Sequence, residues 1–150
     1  MTEQSPVTEV HFSEGLVGCP EWQHFALDRS ADLAPLVLLV STEHAGLALP
    51  AISPWLVKLD YAPQLSEADR AALQPQADAD LEWLVVLNIQ SDPPLMTANL
   101  LGPLVINRRT GLARQVVLSV SGYSAAHPVG VVAVAPVESE VSYARADTAP

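Results

Sequence analysis

Thirteen prolines run through this chain of 150 residues, from Pro6 to Pro150, and they are scattered rather than clustered. Inside a helix a proline removes a hydrogen bond and collides with the preceding turn; inside a sheet it is confined to edges and bulges. A bundle of long helices is therefore excluded, and the chain must be built from many short elements joined by turns. It still has the means to bury a core: 49% of its residues are apolar and only 16% charged, which also argues against global disorder. One domain is the expected size.

The elements follow from pattern. Val7 to Phe12 alternates weakly and runs into a turn with two glycines, Gly15 and Gly18. Gln23 to Asp28 fits a short strand with His24 and Phe25 on opposite faces, and Leu36 to Val40 a buried strand. The Gly46 to Pro54 region reads as a punctuated connection, followed by Trp55 to Tyr61 as a strand at period two. Ser66 to Leu73 predicts the single helix, with Ser66 as N-cap, Glu67 and Asp69 in the first turn, and Pro75 beyond its end. Leu81 to Ile89 predicts a strong strand, and the Ser91-Asp92-Pro93-Pro94 turn follows. Met96 to Asn107 and Arg114 to Ser121 predict a hairpin about Arg108-Arg109-Thr110-Gly111. Gly130 to Val137 fits an edge strand. The fold expected is mostly β: a compact, single-domain β-barrel or sandwich with one short α-helix. Residues 1–7 are expected to be a flexible N-terminus, 8–137 the β domain and 138–150 a flexible tail.

Charge narrows the partners. Seventeen acidic against seven basic side chains give a formal net charge of −10. A nucleic acid would be repelled, whereas a basic protein would be steered in. Arg108, Arg109 and Arg114 gather at the hairpin with no aromatic residue between them, so they read as a solubilising tip, not an RNA-stacking platform. With Cys19 alone, no intramolecular disulfide is possible. No signal-peptide pattern opens the chain and no apolar run is long enough to span a bilayer, so the expected compartment is the cytoplasm.

Catalytic and metal chemistry finds no pattern. His11, His24, His44 and His127 lack the paired spacing of a zinc site. Cys19 lies in a turn with no partner to hold a thiolate. No nucleophile elbow or phosphate loop is present, and Asp78, Asp80 and Glu82 read as a solvated face. The expectation is a binding protein with no catalytic residue, metal or cofactor.

One segment stands apart. In Thr97 to Asn107 (TANLLGPLVIN), Gly102-Pro103 interrupts an apolar run and predicts a break in the ladder, leaving apolar Leu100, Leu101 and Leu104 near an incompletely paired edge. Such an edge needs cover from the chain itself or from a partner; the competing reading makes Leu100, Leu104 and Ile106 plain core residues and the motif structural. The segment resembles the T-x-N-L-x-[AG]-P-[IL]-[VI]-[IV]-N signature of FliW, the flagellar assembly factor family. Other pieces match in order. HFSEGLVGCPEW, from His11 to Trp22, is similar to the family's F-x-x-G-[IL]-x-G-F turn. Ser53-Pro54, Tyr61 and the Ser66 to Leu73 helix fall at family positions. Gln115-Val116-Val117-Leu118 and Tyr123-Ser124-Ala125-Ala126-His127-Pro128 resemble its closing segment. Cys19 stands where phenylalanine is usual and Ala126 where a basic residue is common. Relatives begin with an extra strand pair, for which this chain looks short.

The resemblance implies a small β-barrel-like protein that binds the translational repressor CsrA, a basic dimer, and relieves its silencing of flagellin mRNA, with flagellin as a competing partner. The chain is expected to act as a monomer, with no direct nucleic acid and no membrane. The expected partner-binding residues are Asn99, Leu100, Leu101, Gly102, Pro103, Leu104 and Asn107. The alternative is a generic interaction or chaperone-like β domain that has left that role.

Overall fold

The computed structural model describes residues 8–91 and 93–129. The expected flexible ends at 1–7 and 138–150, the edge strand at 130–137 and Asp92 of the turn lie outside the described residues. Among those described there are nine strands: β1 (Glu9–Phe12), β2 (His24–Asp28), β3 (Val37–Ser41), β4 (Ala48–Ile52), β5 (Leu81–Ser91), β6 (Pro94–Ala98), β7 (Leu104–Asn107), β8 (Leu112–Gln115) and β9 (His127–Pro128). Seven follow in the order β4-β3-β2-β1-β8-β7-β5, and pairing of β4 with β5 closes them into a barrel. Every neighbouring pair is antiparallel except β1 with β8. Closure removes the unpaired edges that an open sheet would expose.

Strand β5 is long because it serves three neighbours in turn. Leu81–Leu84 pair with β7, Val85 and Val86 with β4, and Leu87–Ser91 with β6, which carries β9 on its other side. Alternation along β5 and β7 splits the core in two. Leu84, Leu104 and Ile106 point into the barrel with Phe12, Phe25 and Leu39. Val85 and Val105 point outward, into a second cluster with Tyr61, Leu73, Leu100, Val116 and Leu118. Strand β7 is buried at all its positions, which is why it reads as a continuous apolar run.

The helix α1 (Glu67–Leu73) covers that second cluster with Leu73, which is fully buried. Ser66 caps it as expected: its hydroxyl accepts a hydrogen bond from the Asp69 amide at 3.0 Å. Gln74 then takes a left-handed conformation and ends the helix. Ser66→Ala is expected to lower stability by about 1 kcal/mol, the usual worth of such a cap. A urea midpoint unchanged from wild type would show that packing alone holds this helix.

Three expectations need correction. Trp55 to Tyr61 is not a strand: Pro54 starts a short 3-10 turn over Pro54–Leu56, and Lys58 accepts from Tyr61 in a second turn. The punctuated connection hides β4. Pro50 is tolerated there because it faces Leu38 at a position that makes no hydrogen bond to β3, and β5 pairs only with Ala51 and Ile52. Finally, Met96 to Asn107 is two strands, β6 and β7, separated by Asn99–Pro103. Its hairpin partner is assigned as strand only to Gln115, although Val116 and Leu118 still donate to the carbonyls of Pro103 and Leu101 at 2.9 and 2.8 Å. Pro103 has no N–H to return, so the ladder loses its reciprocity there.

Candidate functional site

The break at Gly102-Pro103 is real, but it is covered by the chain's own residues. Leu100 and Leu104 are fully buried, one in each core cluster, so the uncovered apolar edge expected from sequence is not formed. The Leu100 carbonyl accepts the buried Tyr61 hydroxyl at 2.7 Å, and the amides of Leu100 and Leu101 donate to the Ser124 carbonyl. Burial pushes the Tyr61 phenol upward, with the neighbouring Tyr123 adding to the effect. Pro103 and Gly102 are buried as well. Asn107 is fully buried, and its side-chain amide donates to the carbonyls of Leu73 and Gln74 at 2.9 and 3.3 Å. Its own oxygen accepts from the Arg109 amide at 2.9 Å. Of the seven residues named from sequence, only Asn99 and Leu101 keep appreciable exposure.

What the segment does locally is hold three distant pieces together. Asn99 accepts from the Gly102 amide at 2.9 Å. Gln115 donates to the Gly102 carbonyl at 2.9 Å, and its side-chain oxygen accepts from the Val17 amide at 2.7 Å. One glutamine side chain thus ties the first glycine turn to the Gly102 loop. A Cβ at Gly102 would crowd the Gln115 amide, so the glycine keeps this clamp closed.

Beside the clamp lies a cavity of about 250 Å³. Leu16, Val17, Cys19 and Trp22 of the glycine turn form one wall, Val86 and Asn88 of β5 another, and Thr97, Asn99 and Gln115 line it further. Pieces of the sequence that resembled one family separately therefore meet at one concavity. A largely apolar hollow with a few convergent polar groups suits an anchoring side chain of a partner. Val17, Thr97 and Gln115 were absent from the residues expected at the interface; all three lie in the quoted motifs, but only the fold shows that those motifs converge.

The remaining candidates are accounted for locally. Arg114 pairs with Asp69 at 2.7 Å and Glu14 at 3.2 Å, and the Asp69 contact raises its guanidinium further above its ordinary range. Arg108 donates to the Ala79 carbonyl, leaving Arg109 exposed at the hairpin tip. Glu82, expected on a solvated face, takes both guanidinium arms of Arg29 at 2.9 and 2.6 Å. His11 and His24 stack with ring centroids 4.3 Å apart, and His24 holds the Glu43 carboxylate below its usual range. Among the described residues, no three His, Cys, Asp or Glu side chains are grouped to hold a metal ion, and no helix is long and apolar enough to cross a membrane.

Comparison with known proteins gives one family. A family model described as FliW protein matches residues 2–129, starting ahead of the glycine turn, where the chain had looked short. The flagellar assembly factor FliW of Bacillus licheniformis is 34% identical over 119 residues, covering 79% of this chain and 83% of that protein. The FliW of Pseudothermotoga lettingae is 36% identical over 121 residues, covering 80% and 77%. A crystal structure of the flagellar assembly factor FliW superposes with a TM-score of 0.74 at 28% identity, covering 81% of this chain and 84% of that one.

Proposed function

Because the chain belongs to the FliW family, we propose that it is a non-enzymatic cytoplasmic regulator of flagellar assembly that binds and antagonises the repressor CsrA, and exchanges it for flagellin. The observation that carries this reading is the cavity where the glycine turn, Thr97, Asn99 and Gln115 meet. Most of the residues that line that hollow come from the family's motifs, and Val17 stands exposed at its lip with 66% of its surface free. A net charge of −10 favours encounter with a basic protein and disfavours direct binding to RNA. In this reading Leu100, Leu104 and Asn107 support the interface from beneath, while Asn99, Leu101 and the cavity lip meet the partner.

Calorimetric titration with the cognate CsrA tests it. Val17→Asp places a charge at the lip and Leu101→Asp one in the loop that follows Asn99, and each is expected to weaken binding by about 2 kcal/mol, the worth of an interface anchor. Leu59→Asp, at a site 88% exposed and outside the cavity, serves as the control and leaves affinity unchanged. Thermal unfolding identifies the variants that remain folded. Wild-type affinity in folded Val17→Asp moves the interface elsewhere, and failure of flagellin to displace CsrA removes the exchange.

A further inference from the structure

A second surface is independent of the cavity and of the CsrA reading. Beyond Gln115 the chain stays extended, with burial alternating between Val116 and Leu118 inside and Val117 outside. Val116 and Leu118 spend their amides on the carbonyls of Pro103 and Leu101. By the alternation of an extended chain, the amide and carbonyl of Val117 point the other way. Strand β1, which flanks β8 at Leu112 and Ala113, ends at Phe12 and no longer covers this edge. Among the described residues Val117 has no hydrogen-bond partner for either main-chain group, and the Ser119 amide has none.

This edge faces a groove of about 450 Å³ whose other wall is Ala62–Ser66. That wall is held at a fixed distance: the Ala62 amide donates to the Tyr123 hydroxyl at 2.9 Å, and the Tyr61 and Tyr123 rings pack 4.6 Å apart. The amides of Gln64 and Leu65 also lack a partner among the described residues. Main-chain groups without a mate among the described residues, at the end of an extended run beside an open groove, are the features by which an added strand is recognised.

We infer that this groove takes an extended segment of a partner polypeptide, laid against Val117 as an added strand. The occupant is defined by chemistry on the page. Pairing through the main chain demands an extended backbone, and exposed Val117 favours an apolar side chain beside it. Asp69, which lines the groove, is already paired with Arg114, so the preference comes from the chain as a whole: at −10 a neutral or basic segment is favoured and an acidic one disfavoured.

The test uses a defined probe, an acetylated and amidated hexapeptide alternating valine and threonine between terminal lysines. Amide resonances of the intact protein are followed during its titration. Binding is expected to move Val117, Ser119, Gln64 and Leu65. Methylating alternate peptide nitrogens removes the pairing donors, and Val117→Pro removes the protein's own; each is expected to lower affinity about tenfold, the loss of one to two net hydrogen bonds. A probe with glutamates in place of the lysines binds more weakly. The inference is overturned by shifts confined to the Val17 cavity, by equal affinity of the N-methylated peptide, or by no shift at millimolar probe. Since CsrA titration reads the other site, the two proposals fail separately.

Discussion

Replacing Asn107 by alanine is expected to cost on the order of 3 kcal/mol of folding stability, because one buried carbonyl and two partly buried main-chain groups lose their partner at once. The Asn107 side chain is fully buried under α1 and satisfies the last carbonyls of that helix, Leu73 and Gln74, as well as the Arg109 amide that opens the β7–β8 turn. Removing it leaves the buried Leu73 carbonyl without that donor and opens a small void beneath Leu73. Leucine at this position fills the void yet leaves the same groups unsatisfied, so Asn107→Leu is expected to fall close to Asn107→Ala. Urea unfolding measures both. A loss below about 1 kcal/mol in each would mean that water or a shifted turn replaces the amide. A folded, stable Asn107→Ala that no longer binds CsrA would return Asn107 to the interface itself.

Asn107 also marks the limit of what sequence could tell. The apolar run before it, the turn after it and the hairpin with Arg114 were legible because β7 and β8 are neighbours in the chain and their pairing is local. The helix was legible for the same reason, its cap lying within its own first turn. What could not be read is where a polar side chain goes when its partners are remote: Leu73 and Gln74 lie more than thirty positions from Asn107. The same holds for the site. Gln115 reaches back 98 positions to Val17 and 13 to Gly102, so the clamp that assembles the cavity exists only once the barrel has closed. Proline misled in both directions. Pro50 hid β4 because an unpaired flank excuses it, and Pro103 did break the ladder but was covered by Val116. A sequence shows that a proline lacks a donor; the sheet decides whether a donor was needed.

The two glycines of the first turn make the same point as a measurement. From sequence Gly15 and Gly18 are equivalent turn residues, and both adopt positive φ, +69° and +83°. Their surroundings differ. A Cβ at Gly18 meets nothing within 4 Å, whereas one at Gly15 overlaps the main chain of Pro20. Gly18→Ala therefore carries only the conformational cost of a left-handed alanine, about 1 kcal/mol. Gly15→Ala adds a steric conflict with backbone that cannot rotate away, and its expected loss is on the order of 4 kcal/mol. Relief requires the turn to open, which breaks the Leu16–Cys19 bridge and moves Leu16, Val17 and Cys19 away from the cavity they line. Partner binding should then fall with stability in Gly15→Ala and persist in Gly18→Ala, read by CsrA titration at a temperature where both are folded. Equal stability losses would show that the close approach of Gly15 to Pro20 is not what holds the turn. Full affinity in a folded Gly15→Ala would separate the turn from the interface.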